Sequence, residues 1–284
     1  MNTSTLSLIA PAKLNLFLHV TGRLDNGYHT LQSLFVLIDL YDEISIFLRE
    51  DGQIIRTGDV IGDPDKDLCV RAARLLKNHS NCSLGAEIHV KKRIPAGAGM
   101  GGGSSDAATT MLGLNFLWKL KFTKEQLISM APQLGADVPF FLLGTNAWVE
   151  GIGEKLTPID VPETHFAVIW PGVHQGTPEI FSHKDLTRDS KCVKIPIFER
   201  QLTETTLRNL GHNDLEPIVK MVNPEVANLL DNFQRFRLTG SGSAAFAIMN
   251  EHEAEGIFKT LPKKWQHFFV KSLKIHPVSS ALPC

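Results

Sequence analysis

The chain has 284 residues, which at roughly 100–200 residues per domain is enough for two domains or one large one. With 43% hydrophobic and 21% charged residues it has a globular composition, which excludes disordered and fibrous classes. Lys plus Arg (29) and Asp plus Glu (30) balance to -1, so no basic field points to nucleic acid or an anionic membrane as a partner.

The four cysteines, Cys69, Cys82, Cys192 and Cys284, stand far apart with no CxxC pair. That spacing argues against a metal knuckle and fits a reducing compartment, the cytoplasm. The opening segment lacks a basic region followed by a long apolar stretch, and the apolar runs are too short to span a bilayer. Neither export nor anchoring is expected.

Residues 6–20 alternate, with Ala12, Leu14, Leu16, Leu18 and Val20 on one face and Lys13, Asn15, Phe17 and His19 on the other. This is the period of a half-buried strand. Asp25-Asn26-Gly27 is a turn signal, and 44–49 and 53–58 predict two strands paired with each other. Residues 67–79 have helical spacing, and 86–94 return to alternation before Pro95. A helix is expected over 104–120 and another from Thr123, where Thr123 and Gln126 stand at capping-box spacing.

Strands are expected at 146–159 and 165–170, with a change of domain near Trp170-Pro171-Gly172, to within tens of residues. The division adopted is 1–160 and 161–284. The second half predicts helices around 199–210, 213–222 and 224–233 and a strand over 235–249 broken by Gly240-Ser241-Gly242. A helix near 252–261 and a strand at 268–276 complete it. Helices and strands mixed without strict alternation make an α+β protein.

The run from Pro95 to Ser105 joins a strand to an alanine-rich helix and holds five glycines and two serines in eleven residues. Glycines let backbone N–H groups approach a ligand closely, and a helix start adds partial positive charge, so the combination suits phosphate. Ser104 and Ser105 offer hydroxyls to phosphate or magnesium. The plain alternative is a tight strand-to-helix turn with a serine N-cap, but five glycines exceed what a turn needs. Gly97 to Gly102 also matches the dinucleotide pattern GxGxxG. That fold requires a strand ending in an acidic residue about twenty residues on, where Thr123-Lys124-Glu125-Gln126 starts a helix instead. A Walker loop is excluded because no Gly-Lys-Ser/Thr occurs here.

PAGAGMGGGSSDAA (95–108) resembles the phosphate loop of the GHMP kinases: galactokinase, homoserine kinase, mevalonate kinase and phosphomevalonate kinase. RLTGSGSAAFAI (237–248) resembles their C-terminal glycine motif and PAKLNLFLHV (11–20) their first motif. Four further segments are GYHTLQSLF (27–35), LGADVPFF (134–141), EGIGEKLTPI (150–159) and PGVHQGTPEIF (171–181). These are similar to the branch whose substrate carries a cytidine diphosphate group and whose product feeds isoprenoid synthesis by the non-mevalonate route. The resemblance spans nearly the whole chain. It implies a two-domain GHMP kinase architecture, with a ribosomal-protein-like N-terminal domain, a ferredoxin-like C-terminal domain and the active site between them. It also implies ATP as co-substrate with Mg2+, transfer of phosphate to an alcohol, and a monomer or weak homodimer.

The resemblance makes Asp137 the catalytic aspartate and Lys13 its partner. From the residues alone, Asp137 serves equally as a helix N-cap before Val138-Pro139, and Lys13 as a solvated side chain. ATP is expected on Pro95, Gly97, Gly99, Gly101, Gly102, Gly103, Ser104 and Ser105, with Lys92 reaching toward the base unless it is simply solvated. For the cytidine end the resemblance points to Tyr28, His29 and Phe181, since aromatic rings stack on a pyrimidine and an imidazole bonds its edge. The plain alternatives are a hairpin for Tyr28-His29 and core packing for Phe181. Asn15, Thr177, Gly240 and Ser241 complete the expected substrate contacts. Asp106 favours the helix dipole but would repel phosphate, and the magnesium ligands stay unassigned. Competing functions are another GHMP kinase, such as a homoserine or phosphomevalonate kinase, and a non-catalytic sensor on the same fold.

Overall fold

The computed structural model describes residues 4–193 and 202–282. Strands β1 (Thr5–Arg23) and β2 (His29–Arg49) form a long antiparallel hairpin whose turn is closed by Leu24 N donating to Tyr28 O at 2.7 Å. Its register slips between Pro11 and Ala12, between Asn15 and Leu18, and between Val20 and Gly22. Such bulges bend a strand and re-aim its side chains, so Phe17 joins Leu14 and Leu16 in one apolar cluster although simple alternation separates them. The half-buried strand expected from alternation is in fact buried on both faces: Lys13, Asn15 and His19 are 4%, 1% and 5% exposed.

After β3 (Ile54–Gly58), helix α1 (Leu68–Ser80) carries the chain over to β4 (Gly85–Lys91). Strand β4 runs parallel to β3 and antiparallel to β2, and lies between them. The expected pairing of 44–49 with 53–58 is therefore wrong. A crossover helix between β3 and β4 is what parallel neighbours require, and it lets β4 occupy the place beside β2. Helix α1 is capped by Asp67, whose Oδ1 accepts from Cys69 N at 2.8 Å.

Helix α2 (Gly102–Leu117) is followed by α3 (Lys124–Met130) and α4 (Val138–Leu143). The capping box of Thr123 and Gln126 forms as expected. Helix α2 starts before Ser104 and stops before Leu120. Gly101 caps its start with φ +70°, and Asn115 clasps Phe122 N and O at 3.0 Å each, folding the chain back at the end. Strands β5 (Ala147–Glu150) and β6 (Lys155–Pro158) complete a six-stranded sheet. In it β2 holds β1, β4 at one end and β5 at the other.

The second sheet has the order β10-β7-β9-β8, from β7 (His165–Trp170), β8 (Arg237–Leu238), β9 (Ala245–Ile248) and β10 (Gln266–Lys271). Around it lie α5 (Thr177–Ser182), α6 (Glu204–Arg208), α7 (Glu216–Val222), α8 (Pro224–Asn232) and α9 (Glu251–Phe258). Part of the helix expected at 199–210 falls outside the described residues. The strand expected to run to 276 stops at Lys271. From there Leu273 N donates to Leu37 O at 2.8 Å, and α10 (Pro277–Ala281) packs on β1 and α2. The last residues thus return to the first sheet. One apolar cluster, including Leu14, Phe17, Val36, Trp148, Phe166, Phe246 and Val270, is shared by the two sheets. Among the described residues no helix is long and apolar enough to cross a membrane, and Cys69, Cys82 and Cys192 are free thiols.

Candidate active site

A cleft of about 1030 Å³ runs along the glycine loop, and every site residue named from the sequence lines it except Ser105. The loop is held against the second glycine motif by backbone bonds: Ser243 N donates to Gly97 O and Ala244 N to Ala98 O, both at 3.1 Å. A Cβ at Gly99 would lie 2.1 Å from Thr239 O, so only glycine permits this contact. Residues 239–244 are therefore the brace of the loop as well as part of the cleft wall. Ser104 stands in the first turn of α2 and faces the cleft. Ser105 turns inward, fully buried, and its N–H is already committed to Gly101 O at 2.9 Å. A phosphate contact through that amide is not available in this structure.

Lys13 and Asp137 come together across the cleft, with Nζ to Oδ2 at 3.6 Å, an ion pair longer than a hydrogen bond. Strand β1 brings Lys13 there, and Lys13 N donates to Met100 O at 3.0 Å, tying the strand to the loop. The ammonium also donates to Asn15 Oδ1 and lies 4.6 Å from the centre of the Phe35 ring. Burial pushes the Lys13 ammonium below the ordinary lysine range, opposed by the Asp137 carboxylate. Asp137 occupies the N-cap position of α4, yet its side chain makes no cap hydrogen bond. The geometry thus separates the two roles left open by the sequence: the carboxylate is free for Lys13 and the cleft. The solvated alternative for Lys13 is excluded by its burial.

Lys92 does not extend into solvent either. Its Nζ lies 2.5 Å from Asp42 Oδ2 and 2.6 Å from Asp106 Oδ2. Burial raises the Asp106 carboxyl to about 7, with Lys92 opposing and Asp42 adding to the shift. Asp106 Oδ1 is buried and has no partner among the described residues. Lys92 is raised because the two carboxylates outweigh its burial.

At the far end, Tyr28 is 61% exposed, and the His29 and Phe181 rings lie 5.3 Å apart. His29 Nε2 accepts from Arg188 Nε at 2.9 Å, which leaves the ring proton on Nδ1. Burial, then Arg188 and Arg23, hold the His29 imidazole below its ordinary range. Thr177 Oγ1 and Ser241 Oγ share a hydrogen bond of 2.6 Å, and Gly240 sits between Gly99 and Asn15. Asn15 N donates to Thr239 Oγ1 at 2.9 Å, so the first and last motifs meet directly.

Sequence reasoning missed Asp42, Arg188 and His174. Asp42 lies inside β2 with no signal of its own, and Arg188 seven residues beyond Phe181 in a loop without periodicity. His174, whose ring packs on Gly97, falls within the segment 171–181 and was overlooked beside Thr177 and Phe181. Among the described residues no group of three or more His, Cys, Asp or Glu side chains could hold a metal ion.

Residues 67–145 match the family model described as GHMP kinases N terminal domain, and residues 198–267 the one described as GHMP kinases C terminal. The chain belongs to the GHMP kinases, ATP-dependent small-molecule kinases, and has their two-domain fold of mixed helices and sheets. The relatives narrow the family further. A protein of Burkholderia mallei (strain SAVP1) named 4-diphosphocytidyl-2-C-methyl-D-erythritol kinase is 47% identical over 288 residues, covering 98% of each chain. One of the same name from Paraburkholderia phymatum is 46% identical over 284 residues, covering 98% of this chain and 97% of its own. A crystal structure of 4-(cytidine 5'-diphospho)-2C-methyl-D-erythritol kinase superposes with a TM-score of 0.77 at 30% identity, covering 94% of this chain and 99% of that one. Methanococcus jannaschii mevalonate kinase, at 15% identity and a TM-score of 0.70, covering 95% and 99%, shares the fold.

Proposed function

We propose that this chain transfers the γ-phosphate of ATP to the 2-hydroxyl of 4-diphosphocytidyl-2-C-methyl-D-erythritol, giving the 2-phosphate and ADP in the cytoplasm. The observation that carries the reading is the Lys13–Asp137 pair facing the glycine loop across one cleft. The names of the full-length relatives support the choice of substrate. The division into domains 1–160 and 161–284 is part of the same reading.

Asp137 orients the substrate hydroxyl and takes its proton as the new oxygen–phosphorus bond forms and ADP departs. Lys13 orients that carboxylate and adds positive charge beside the transferring group. Backbone amides of Gly101 to Ser104 and the start of α2 offset the phosphate charge. Tyr28 and Phe181 offer aromatic faces to the cytosine, and His29 its imidazole edge. Magnesium suits the donor set: the cleft-facing hydroxyl of Ser104 and the unpartnered Asp106 Oδ1 would hold it, with the remaining ligands from phosphate and water. When bound, the ion supplies further neutralisation of phosphate charge.

The test is ADP release by the purified protein with the cytidylyl substrate beside homoserine and mevalonate, each with and without magnesium. Turnover is expected with the cytidylyl compound alone and only with the ion. Turnover of homoserine or mevalonate at comparable kcat/KM would replace this reading with that of another kinase of the family. Binding of both ligands without any ADP release would favour a sensor.

A further inference from the structure

The glycine loop begins and ends beside one buried carboxylate. Asp42, on β2, is 0% exposed and takes no part in the cleft wall. Its Oδ1 accepts from Arg93 N at 2.6 Å and Ile94 N at 2.8 Å, the two amides at the entrance to the loop. Its Oδ2 accepts from Lys92 Nζ, which also donates to Asp106 Oδ2 in the first turn of α2, the exit from the loop. The stretch between these anchors contains Gly97, Gly99, Gly101, Gly102 and Gly103, and so has more backbone freedom to lose than any other part of the chain. A phosphate cradle made of amides works only if they are already aimed before the ligand arrives.

We infer that Asp42 is a positioning residue for the phosphate loop: through Arg93 and Ile94 on one side and Lys92 and Asp106 on the other, its carboxylate holds the loop's two ends at a fixed separation. The inference rests on the reading of this loop as the ATP site. It gives Lys92 a defined task, as the cation linking two carboxylates rather than a reader of the base. It also gives Asp106 a use that the helix dipole alone does not.

Asp42→Asn keeps an oxygen for Arg93 N and Ile94 N but turns an amide N–H2 toward the Lys92 ammonium, which opens the clasp. A charged, buried hydrogen bond of this kind translates into a weakening of roughly 10–100-fold in affinity. Binding of ATP and of inorganic tripolyphosphate should weaken together by that factor. Binding of the cytidylyl substrate in the absence of ATP should stay within about twofold, because the hydrogen bonds of the Asp42 side chain go to Lys92, Arg93 and Ile94 and none goes to Tyr28, His29 or Phe181. In the double variant Asp42→Asn/Asp106→Asn the losses, measured without magnesium so that Asp106 acts only through Lys92, should be less than additive.

Unchanged ATP affinity in a folded Asp42→Asn protein would overturn the inference, as would equal weakening of both ligands or full additivity with Asp106→Asn. Should Asp42→Asn fail to fold, Lys92→Gln decides, because it leaves the Asp42 bonds to Arg93 N and Ile94 N in place. Parallel loss of ATP and tripolyphosphate supports the clasp, and loss of ATP alone assigns Lys92 to the base and removes it. If the unaltered protein binds neither ATP nor tripolyphosphate, the reading of the loop itself fails, which is a different result from a loop that binds both regardless of Asp42.

Discussion

At Lys13 three neighbours decide what the ammonium can do: Asn15 accepts from it, Phe35 presents a ring face, and Asp137 supplies the opposing charge. An unpaired ammonium buried to this degree is costly, and the carboxylate offsets part of that cost. The dependence runs both ways, because Asp137 has no cap bond to hold it and is oriented by Lys13. Replacing Asp137 with Asn keeps the shape and removes the proposed proton acceptor. Turnover in an ADP-release assay should fall by roughly 10²–10⁴-fold, the usual worth of a general base, with the KM for ATP little changed. Near-normal kcat in a folded Asp137→Asn protein would remove the carboxylate from the chemistry.

Among the elements, α10 is held by an unusual device. His276 caps it, with Nδ1 accepting from Val278 N at 3.2 Å, so the ring proton sits on Nε2 and points at Thr109 Oγ1, 3.4 Å away on α2. Burial, and to a lesser degree Lys124, push the His276 imidazole down to about 4. Its folded pKa lies below the unfolded one, so the unfolded chain takes up a proton first as the solution is acidified. The stability this residue contributes is present above the unfolded value and is lost as pH falls through the window down to about 4. Urea titrations from about pH 7 to about pH 4 should show the wild type losing roughly 3 kcal/mol more than His276→Gln. Parallel curves for the two proteins would show that the imidazole stays neutral for another reason.

Across the whole molecule, the two sheets share a cluster in which Leu14, Leu16 and Phe17 from the first meet Phe166, Phe246 and Val270 from the second. The return of residues 272–282 to the first sheet adds a second tie. Neither sheet can then lose its packing without exposing apolar surface on the other, and unfolding should be one transition. Trp118, in the apolar cluster of the first sheet, and Trp265, in that of the second, lie outside the shared cluster and report on the two sides separately when each is the sole tryptophan. Phe17→Ala should lower stability by about 3–5 kcal/mol, as for other large aromatic truncations, and shift both sets of signals together. Two separated transitions would show that the sheets fold as independent units.

The local rules were legible in the sequence. Alternation marked β1, the Thr123 capping box marked α3, and the glycine run before an alanine-rich stretch marked the loop that leads into α2, because each depends on residues adjacent in the chain. The resemblance in its motifs added Asp137, Lys13 and the aromatic residues of the far end. What tertiary structure alone decided were relations between distant segments: β4 entering between β2 and β3, both faces of β1 being covered, and the C-terminal residues crossing back to α2. Asp42 belongs with these. A single aspartate in a strand carries no periodic signal, and its importance comes only from the place where β2, the end of β4 and the start of α2 converge. Hydrophobic period and turn chemistry are properties of neighbouring residues, whereas pairing order, burial of a charge and the aim of a carboxylate depend on which surfaces the folded chain brings into contact.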